Sequence, residues 1–104
     1  MESYRVIFSP EAEAQLIAIY RRISERASPT IADRFTAAIV DYCEKLDHFP
    51  ERGTRRDDLR PGLRTIGFRR RVTIAFAVEA DAVTIIGVFY GGQDFEAALQ
   101  IDEA

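Results

Sequence analysis

The sequence predicts an α+β domain in which a helix hairpin packs on a small antiparallel sheet, in the order β-α-α-β-β-β-α. Two observations lead to this prediction. The first half of the chain carries two stripes of apolar residues at helical spacing, and the second half carries three short runs rich in β-branched and aromatic residues. The length of 104 residues fits a single domain spanning residues 1–104.

The N-terminal segment predicts a strand followed by a helix. Tyr4–Phe8 is a run of aromatic and β-branched residues, which favours a strand. Ser9 and Pro10 then form a helix start, because a serine hydroxyl can accept from an early backbone N–H and proline tolerates the first helical position. The apolar stripe of this helix consists of Ala12, Leu16, Ile19, Tyr20 and Ile23.

A second helix is predicted directly after the first. Ser28 and Pro29 repeat the start signal, and the pattern ends at Pro50 and Gly53. The apolar stripe consists of Ile31, Phe35, Ala38, Ile39, Tyr42, Leu46 and Phe49. Because the link between the two stripes is short, we expect the helices to form a hairpin.

The second half of the chain predicts a meander and a short final helix. The three strands are Leu63–Phe68, Arg71–Glu79 and Val83–Tyr90. Short links between them favour antiparallel neighbours. Gly91 and Gly92 end the last strand, and Gln93–Leu99 predicts a helix with Phe95 and Leu99 as its inward pair.

Composition excludes several classes of protein. The single cysteine rules out a disulfide scaffold, and no apolar run approaches the roughly 18 residues that span a bilayer. No basic segment followed by an apolar stretch opens the chain, so we expect a cytoplasmic protein. The net charge of −3, from 14 basic and 17 acidic side chains, on its own argues against a polyanionic partner.

The charge is strongly segregated along the chain. Residues 52–71 contain eight arginines and two aspartates, whereas residues 72–104 contain six acids and no base. Such a basic segment in an acidic chain indicates contact with nucleic acid or with an acidic partner. Thirteen of the 14 basic residues are arginine and only Lys45 is lysine, which fits either forked recognition of carboxylate or phosphate, or the codon usage of a GC-rich genome.

Candidates for acid–base chemistry are few. Cys43 lies on the flank of the second apolar stripe, where we expect a small buried filler, and His48 is expected in the last turn of that helix, where a cation favours the dipole. Because neither a second histidine nor a cysteine pair is present, we expect no metal and no cofactor. The pair Gly91-Gly92 lacks the spacing of a phosphate loop.

Several arginines and one tyrosine could form an anion site on the sheet. The candidates are Arg64, Arg69, Arg70, Arg71 and Tyr90. Such a site could hold an RNA phosphate and stabilise the transition state of cleavage. Cleavage would also need a general base, for which Glu79 at a strand end is the one candidate in this part of the sequence. The alternative is that the arginines solvate a sheet face and two turns, or pair with Asp57 and Asp58.

Four segments together suggest a family. They are Tyr4–Ala12, Leu46–Gly53, Leu59–Arg64 and Val88–Asp94. Their order and spacing resemble the RelE/ParE toxins of bacterial type II toxin–antitoxin systems, and the ParE branch more than the RelE branch. The resemblance covers nearly the whole chain. It implies two helices packed on an antiparallel sheet, and a ParD-like cognate antitoxin, expected to be of the ribbon-helix-helix type, that wraps the toxin through apolar and acidic contacts. We expect the groove that receives the antitoxin to lie where the helix hairpin meets the sheet.

The resemblance implies different functions for the two branches. RelE-like toxins cleave mRNA on the ribosome, whereas ParE-like toxins poison DNA gyrase without catalysing a reaction. The RelE branch uses lysines just past the second helix, where this chain has Arg52, Arg55 and Arg56, and an arginine cannot act as a base near neutral pH. We therefore expect a ParE-type toxin. The expected partner contacts are Arg60, Arg64, Arg69, Arg70 and Arg71.

Two alternatives stay open. One is a RelE-type endoribonuclease that uses Arg64, Arg71 and Tyr90 for phosphate binding and transition-state stabilisation. The segment Tyr90–Asp94 counts against it, because both branches often carry histidine-glycine followed by basic residues there, and this chain has no base in those positions. The other alternative is a non-toxic module of the same fold that only binds the antitoxin.

Overall fold

The structure is a computed structural model and describes residues 3–99. Its strands are β1 (Arg5–Phe8), β2 (Thr54–Arg55), β3 (Leu63–Phe68), β4 (Val72–Glu79) and β5 (Ala82–Tyr90). Its α-helices are α1 (Pro10–Arg26), α2 (Pro29–Glu44) and α3 (Phe95–Leu99), and a short 3₁₀ helix (Lys45–Asp47) follows α2. No helix within residues 3–99 combines the length and the apolar composition needed to cross a membrane.

The α+β fold class is confirmed, with two differences in the sheet. Five strands pair in the order β1-β5-β4-β3-β2, and all neighbours are antiparallel except β1, which runs parallel to β5. The sheet is therefore mixed. After β1, the helix hairpin carries the chain to the far edge of the sheet, and the following strands lead back until β5 lies beside β1. The additional strand, β2, has only two residues, both exposed, and thus no alternating pattern to reveal it.

Both predicted helix starts are confirmed. The Ser9 hydroxyl accepts from the Ala12 backbone N–H at 3.1 Å, and the Ser28 hydroxyl accepts from the Ile31 N–H at 3.1 Å. Pro10 and Pro29 occupy the first turns, where a missing N–H costs nothing. Local signals alone thus fix where both helices begin.

The main core lies between the helix hairpin and one face of the sheet. Its fully buried members include Ala12, Ile39, Cys43, Phe76 and Ile85. A smaller cluster on the opposite face is covered by α3, where Leu99 is buried, as expected from the sequence. This second cluster consists of Leu63, Ala75, Phe89 and Leu99.

The predicted stripe of the second helix is wrong at its two ends. Ile31 is 49% exposed in the first turn of α2, and Phe49 is 73% exposed. The α-helix ends at Glu44, and the 3₁₀ helix that follows has a different rotation per residue, so the stripe does not continue to Phe49. Pro50 is buried in its place.

A bulge in β5 ties α1 to the strand that ends at the site. Ile86 has no partner in the β4–β5 ladder, and its carbonyl accepts from the Ser9 hydroxyl at 3.1 Å. The Gln15 side-chain oxygen accepts from the buried Val88 N–H at 2.6 Å. A Cβ at Gly87 would come within 2.6 Å of the buried Phe89 ring, so a larger residue there would have to displace that ring. These contacts hold the C-terminal end of β5 in place.

Candidate functional site

The turn between β3 and β4 presents three consecutive arginines. Arg69 and Arg70 have φ values of +52° and +57°, and the Arg71 N–H donates to the Phe68 carbonyl at 3.1 Å. Two central residues with positive φ are typical of type I′ hairpin turns, which normally use asparagine and glycine. All three arginines are exposed. The turn thus holds two bulky cations in a backbone conformation that disfavours them.

Neighbouring groups orient this turn. The Arg69 guanidinium lies over the Phe68 ring, 4.9 Å from its centroid. The Gly91 N–H donates to the Arg71 carbonyl at 2.7 Å, which joins the end of β5 to the start of β4. Tyr90 therefore lies beside the arginine turn, opposite Val72 in the ladder.

A groove of about 370 Å³ opens where the helix hairpin meets this end of the sheet. Its lining residues are Arg22, Ile23, Arg26, Ala27, Ile31, Phe35, Arg71 and Tyr90. The Tyr90 ring packs edge-on against Phe35, with centroids 5.9 Å apart, and the Arg22 guanidinium lies 5.6 Å from the Tyr90 centroid. The groove thus combines aliphatic and aromatic walls with three cations.

We refer to Arg22, Arg26, Arg69, Arg70 and Arg71 together as the arginine-rich end. Within residues 3–99, none of these five guanidinium groups has a carboxylate within 4.0 Å. Their charge is therefore not neutralised inside the described part of the chain, although the protein is acidic as a whole. Such a surface attracts an anionic group.

The sequence prediction of site residues agrees with this arrangement only in part. Of the predicted residues, Arg71 and Tyr90 line the groove, and Arg69 and Arg70 lie next to Arg71 in the turn without lining it. Neither Arg60 nor Arg64 lines the groove. Arg60 is half-buried, and its Nε donates to the Leu99 carbonyl at 2.9 Å. The Nη1 of Arg64, also half-buried, donates to the Arg52 carbonyl at 3.2 Å. Both residues thus have roles within the fold, and their partner contacts stay predictions.

Sequence reasoning missed Arg22 and Arg26. The two residues are four apart on α1, which places them on one helix face, and this spacing was the available signal. It does not reveal that the two arginines line one groove with Arg71, because that arrangement depends on how α1 packs on β5.

The acidic residues near the predicted site pair elsewhere. Asp57 binds Arg55 at 2.9 Å and accepts from the Gly62 N–H, and that backbone hydrogen bond is the main cause of its lowered pKa. Arg56 donates to both Asp58 and Glu96, which lowers the pKa of Asp58 and raises that of Arg56. Asp57 and Asp58 therefore do not neutralise the arginine-rich end.

The groove is lined by apolar side chains, arginines and a tyrosine. Within residues 3–99, no aspartate, glutamate, histidine or lysine lines it. Cys43 is fully buried in the core, which raises the pKa of its thiol to about 12, so it acts as an apolar filler. His48 follows the 3₁₀ helix rather than lying in α2, and its exposed ring places Nδ1 2.9 Å from the Asp47 carboxylate. The described residues of the groove are suited to binding an anion, and none of them is suited to take up a proton at neutral pH.

Comparisons with known proteins agree with this fold. Residues 6–95 match the family model described as ParE toxin of type II toxin–antitoxin system, parDE. The chain is 27% identical over 95 residues to Toxin ParE3 of Caulobacter vibrioides, covering 91% of this chain and 94% of that protein. A solved structure of the chromosomal ParDE toxin–antitoxin system from P. aeruginosa superposes with a TM-score of 0.75 at 23% identity, covering 86% of this chain and 97% of that one. The chain belongs to the ParE toxin family of type II toxin–antitoxin systems.

Proposed function

We propose that this ParE-family toxin inhibits DNA gyrase in the cytoplasm without catalysing a reaction, and that a cognate antitoxin neutralises it. One observation carries the first part of the proposal. Within residues 3–99, the groove and the arginine turn offer five unpaired cations and one phenol but no general base, which suits binding of a charged partner better than chemistry on it.

The groove is the proposed docking site for the antitoxin. Its apolar members, Ile31 and Phe35 among them, would pack against apolar side chains, and its arginines would bind carboxylates through charge-assisted hydrogen bonds. An acidic, amphipathic C-terminal segment of a ParD-like antitoxin has this chemistry. Arg60 and Arg64 are the further partner contacts proposed from the sequence.

A supercoiling assay tests the proposed target. Purified toxin at micromolar concentration should stop gyrase from supercoiling relaxed plasmid, and an equimolar amount of antitoxin should restore the activity. A matched pair of variants tests the site. Arg71→Gln should weaken inhibition, whereas Arg34→Gln, which removes an exposed arginine of α2 outside the groove, should leave inhibition unchanged. Normal supercoiling at every toxin concentration would refute the proposal.

One observation favours a second candidate, a ribosome-dependent mRNA endoribonuclease. Arg71 and Tyr90 line the same groove, as a phosphate-binding cation and a phenol would have to. Arg64, the third residue predicted for this activity, does not line it. Primer extension on ribosome-bound message decides between the candidates. Cleavage by the wild type that is lost in Tyr90→Phe and Arg71→Ala would favour the endoribonuclease, whereas uncut message supports the gyrase inhibitor.

A further inference from the structure

We propose that the Arg69–Arg71 turn contacts the phosphate backbone of DNA directly. This inference rests on the proposed function in one respect: the DNA it would meet in the cell is the segment held by gyrase. The antitoxin would then occupy the groove and DNA would contact the turn, with Arg71 common to both surfaces.

The turn carries a cluster of positive charge. Three consecutive guanidinium groups project from a tight turn, and within residues 3–99 none has a carboxylate within 4.0 Å. Arg69 is held over the Phe68 ring, which orders its side chain before any partner binds. Clustered cations of this kind form phosphate contacts, because each one releases condensed counterions from the nucleic acid.

At Arg69 and Arg70, which do not line the groove, the turn exposes little apolar surface, and this favours DNA over an acidic protein there. Gly67, Gly91 and Gly92, which flank the three arginines, are exposed and have no side chains, and Phe68 is only 9% exposed beneath Arg69. Protein interfaces need a buried apolar or aromatic anchor at their centre. Phosphate contacts need none, since they position a protein through charge and hydrogen bonds alone.

The shape of the element fits the same partner. The turn is an exposed corner of the five-stranded sheet, where β3 joins β4 and β5 ends beside it at Tyr90, so its arginines can lie against a phosphate backbone without entering a groove of the duplex. Strained backbone supports a functional role as well, because arginine at two successive positive-φ positions is unfavourable and glycine would be tolerated there. The turn thus holds cations at a place where stability alone would favour other residues.

Direct binding to a fluorescein-labelled duplex of about 30 base pairs, measured by anisotropy with the purified full-length chain, tests the inference. If the three arginines each neutralise one phosphate, log K should fall with log salt with a slope of about −3 between roughly 50 and 200 mM salt. The double variant Arg69→Gln/Arg70→Gln should lose at least about tenfold in affinity at the lowest salt, and its slope should fall by about 2. Arg21→Gln/Arg34→Gln removes the same charge from exposed helix positions outside the groove, and should keep the wild-type slope.

The outcomes separate this inference from the proposed function. No binding to the duplex, or equal loss in both double variants, would overturn the DNA contact. Tighter binding to poly-glutamate than to the duplex would do the same and would assign the turn to an acidic protein. A wild type that inhibits gyrase but does not bind DNA refutes only the inference. A wild type that binds DNA as expected but leaves supercoiling unchanged refutes only the proposed function.

Discussion

Replacing Arg70 by glycine should stabilise the fold and weaken the toxin at the same time. Arg70 has a φ of +57°, where a Cβ raises the energy of the folded state by about 1 to 2 kcal/mol. Glycine removes this strain, but the greater freedom of the unfolded chain lowers the free energy of unfolding by about 0.5 to 1 kcal/mol. Arg70 has no ion pair within residues 3–99 to lose, and Arg69 keeps its contact with Phe68. The net gain of about 0.5 to 1 kcal/mol corresponds to a rise in Tm of roughly 2 to 8 °C.

Thermal unfolding followed by circular dichroism, together with the supercoiling assay, checks both effects. Arg70→Gln is the matched control, because it removes the charge and keeps the backbone strain. Its free energy of unfolding should stay within about 0.5 kcal/mol of the wild type, as for most surface substitutions. Both variants should need about fivefold more protein to inhibit gyrase to the same extent, which is the largest effect expected from losing one exposed charge contact. A lower Tm for Arg70→Gly would refute the strain argument, and full inhibition by both variants would refute the role of the charge.

Three further predictions concern the fold around the site. Gln15→Leu leaves the buried Val88 N–H without its acceptor, so chemical denaturation should show a free energy of unfolding lower by about 1 to 3 kcal/mol. Gln15→Glu retains an acceptor oxygen and should lower the free energy of unfolding by less. Because Arg56 lowers the pKa of Asp58 in the folded state, their pairing stabilises the protein above the ordinary pKa of 3.8 and is lost as the pH falls through the lowered pKa. The Tm difference between wild type and Asp58→Asn should therefore be largest near neutral pH and vanish in strong acid; a constant difference would contradict the pairing. The Cys43 thiol, buried and with its pKa raised to about 12, should not react with a thiol reagent at about pH 8 until the protein is unfolded, and rapid labelling of the native protein would contradict its burial.

The helices and the main strands were predictable because their signals are local. Ser9 and Ser28 cap the helices as expected, and the alternation from Val72 to Val78 marks the central strand correctly. The partner of β1 was not predictable, since a strand of four residues looks the same whether it pairs in parallel or antiparallel fashion. The exposure of Phe49 depends on where α2 changes to a 3₁₀ helix, and the apolar spacing gives no sign of that point.

The candidate site was predictable at the consecutive arginines of one turn and at Tyr90, but not on α1. The run Arg69–Arg71 stands out in the sequence, and the short link between two strands indicated a turn there. Arg22 and Arg26 join the site through the packing of α1 on β5, a long-range contact that residue spacing cannot show. Arg60 has the same chemistry in the sequence, yet its Nε binds the Leu99 carbonyl, because α3 folds back over the second face of the sheet.

The most direct test of the central proposal is the yield of trapped gyrase–DNA cleavage complexes. Gyrase, plasmid and purified toxin are incubated with ATP, treated with detergent and protease, and the linear plasmid is quantified, with message on translating ribosomes assayed in parallel. A non-catalytic gyrase inhibitor should yield linear DNA that rises with toxin and saturates as gyrase becomes occupied, and the message should stay intact. Unchanged plasmid together with message cut by substoichiometric toxin would contradict the proposal.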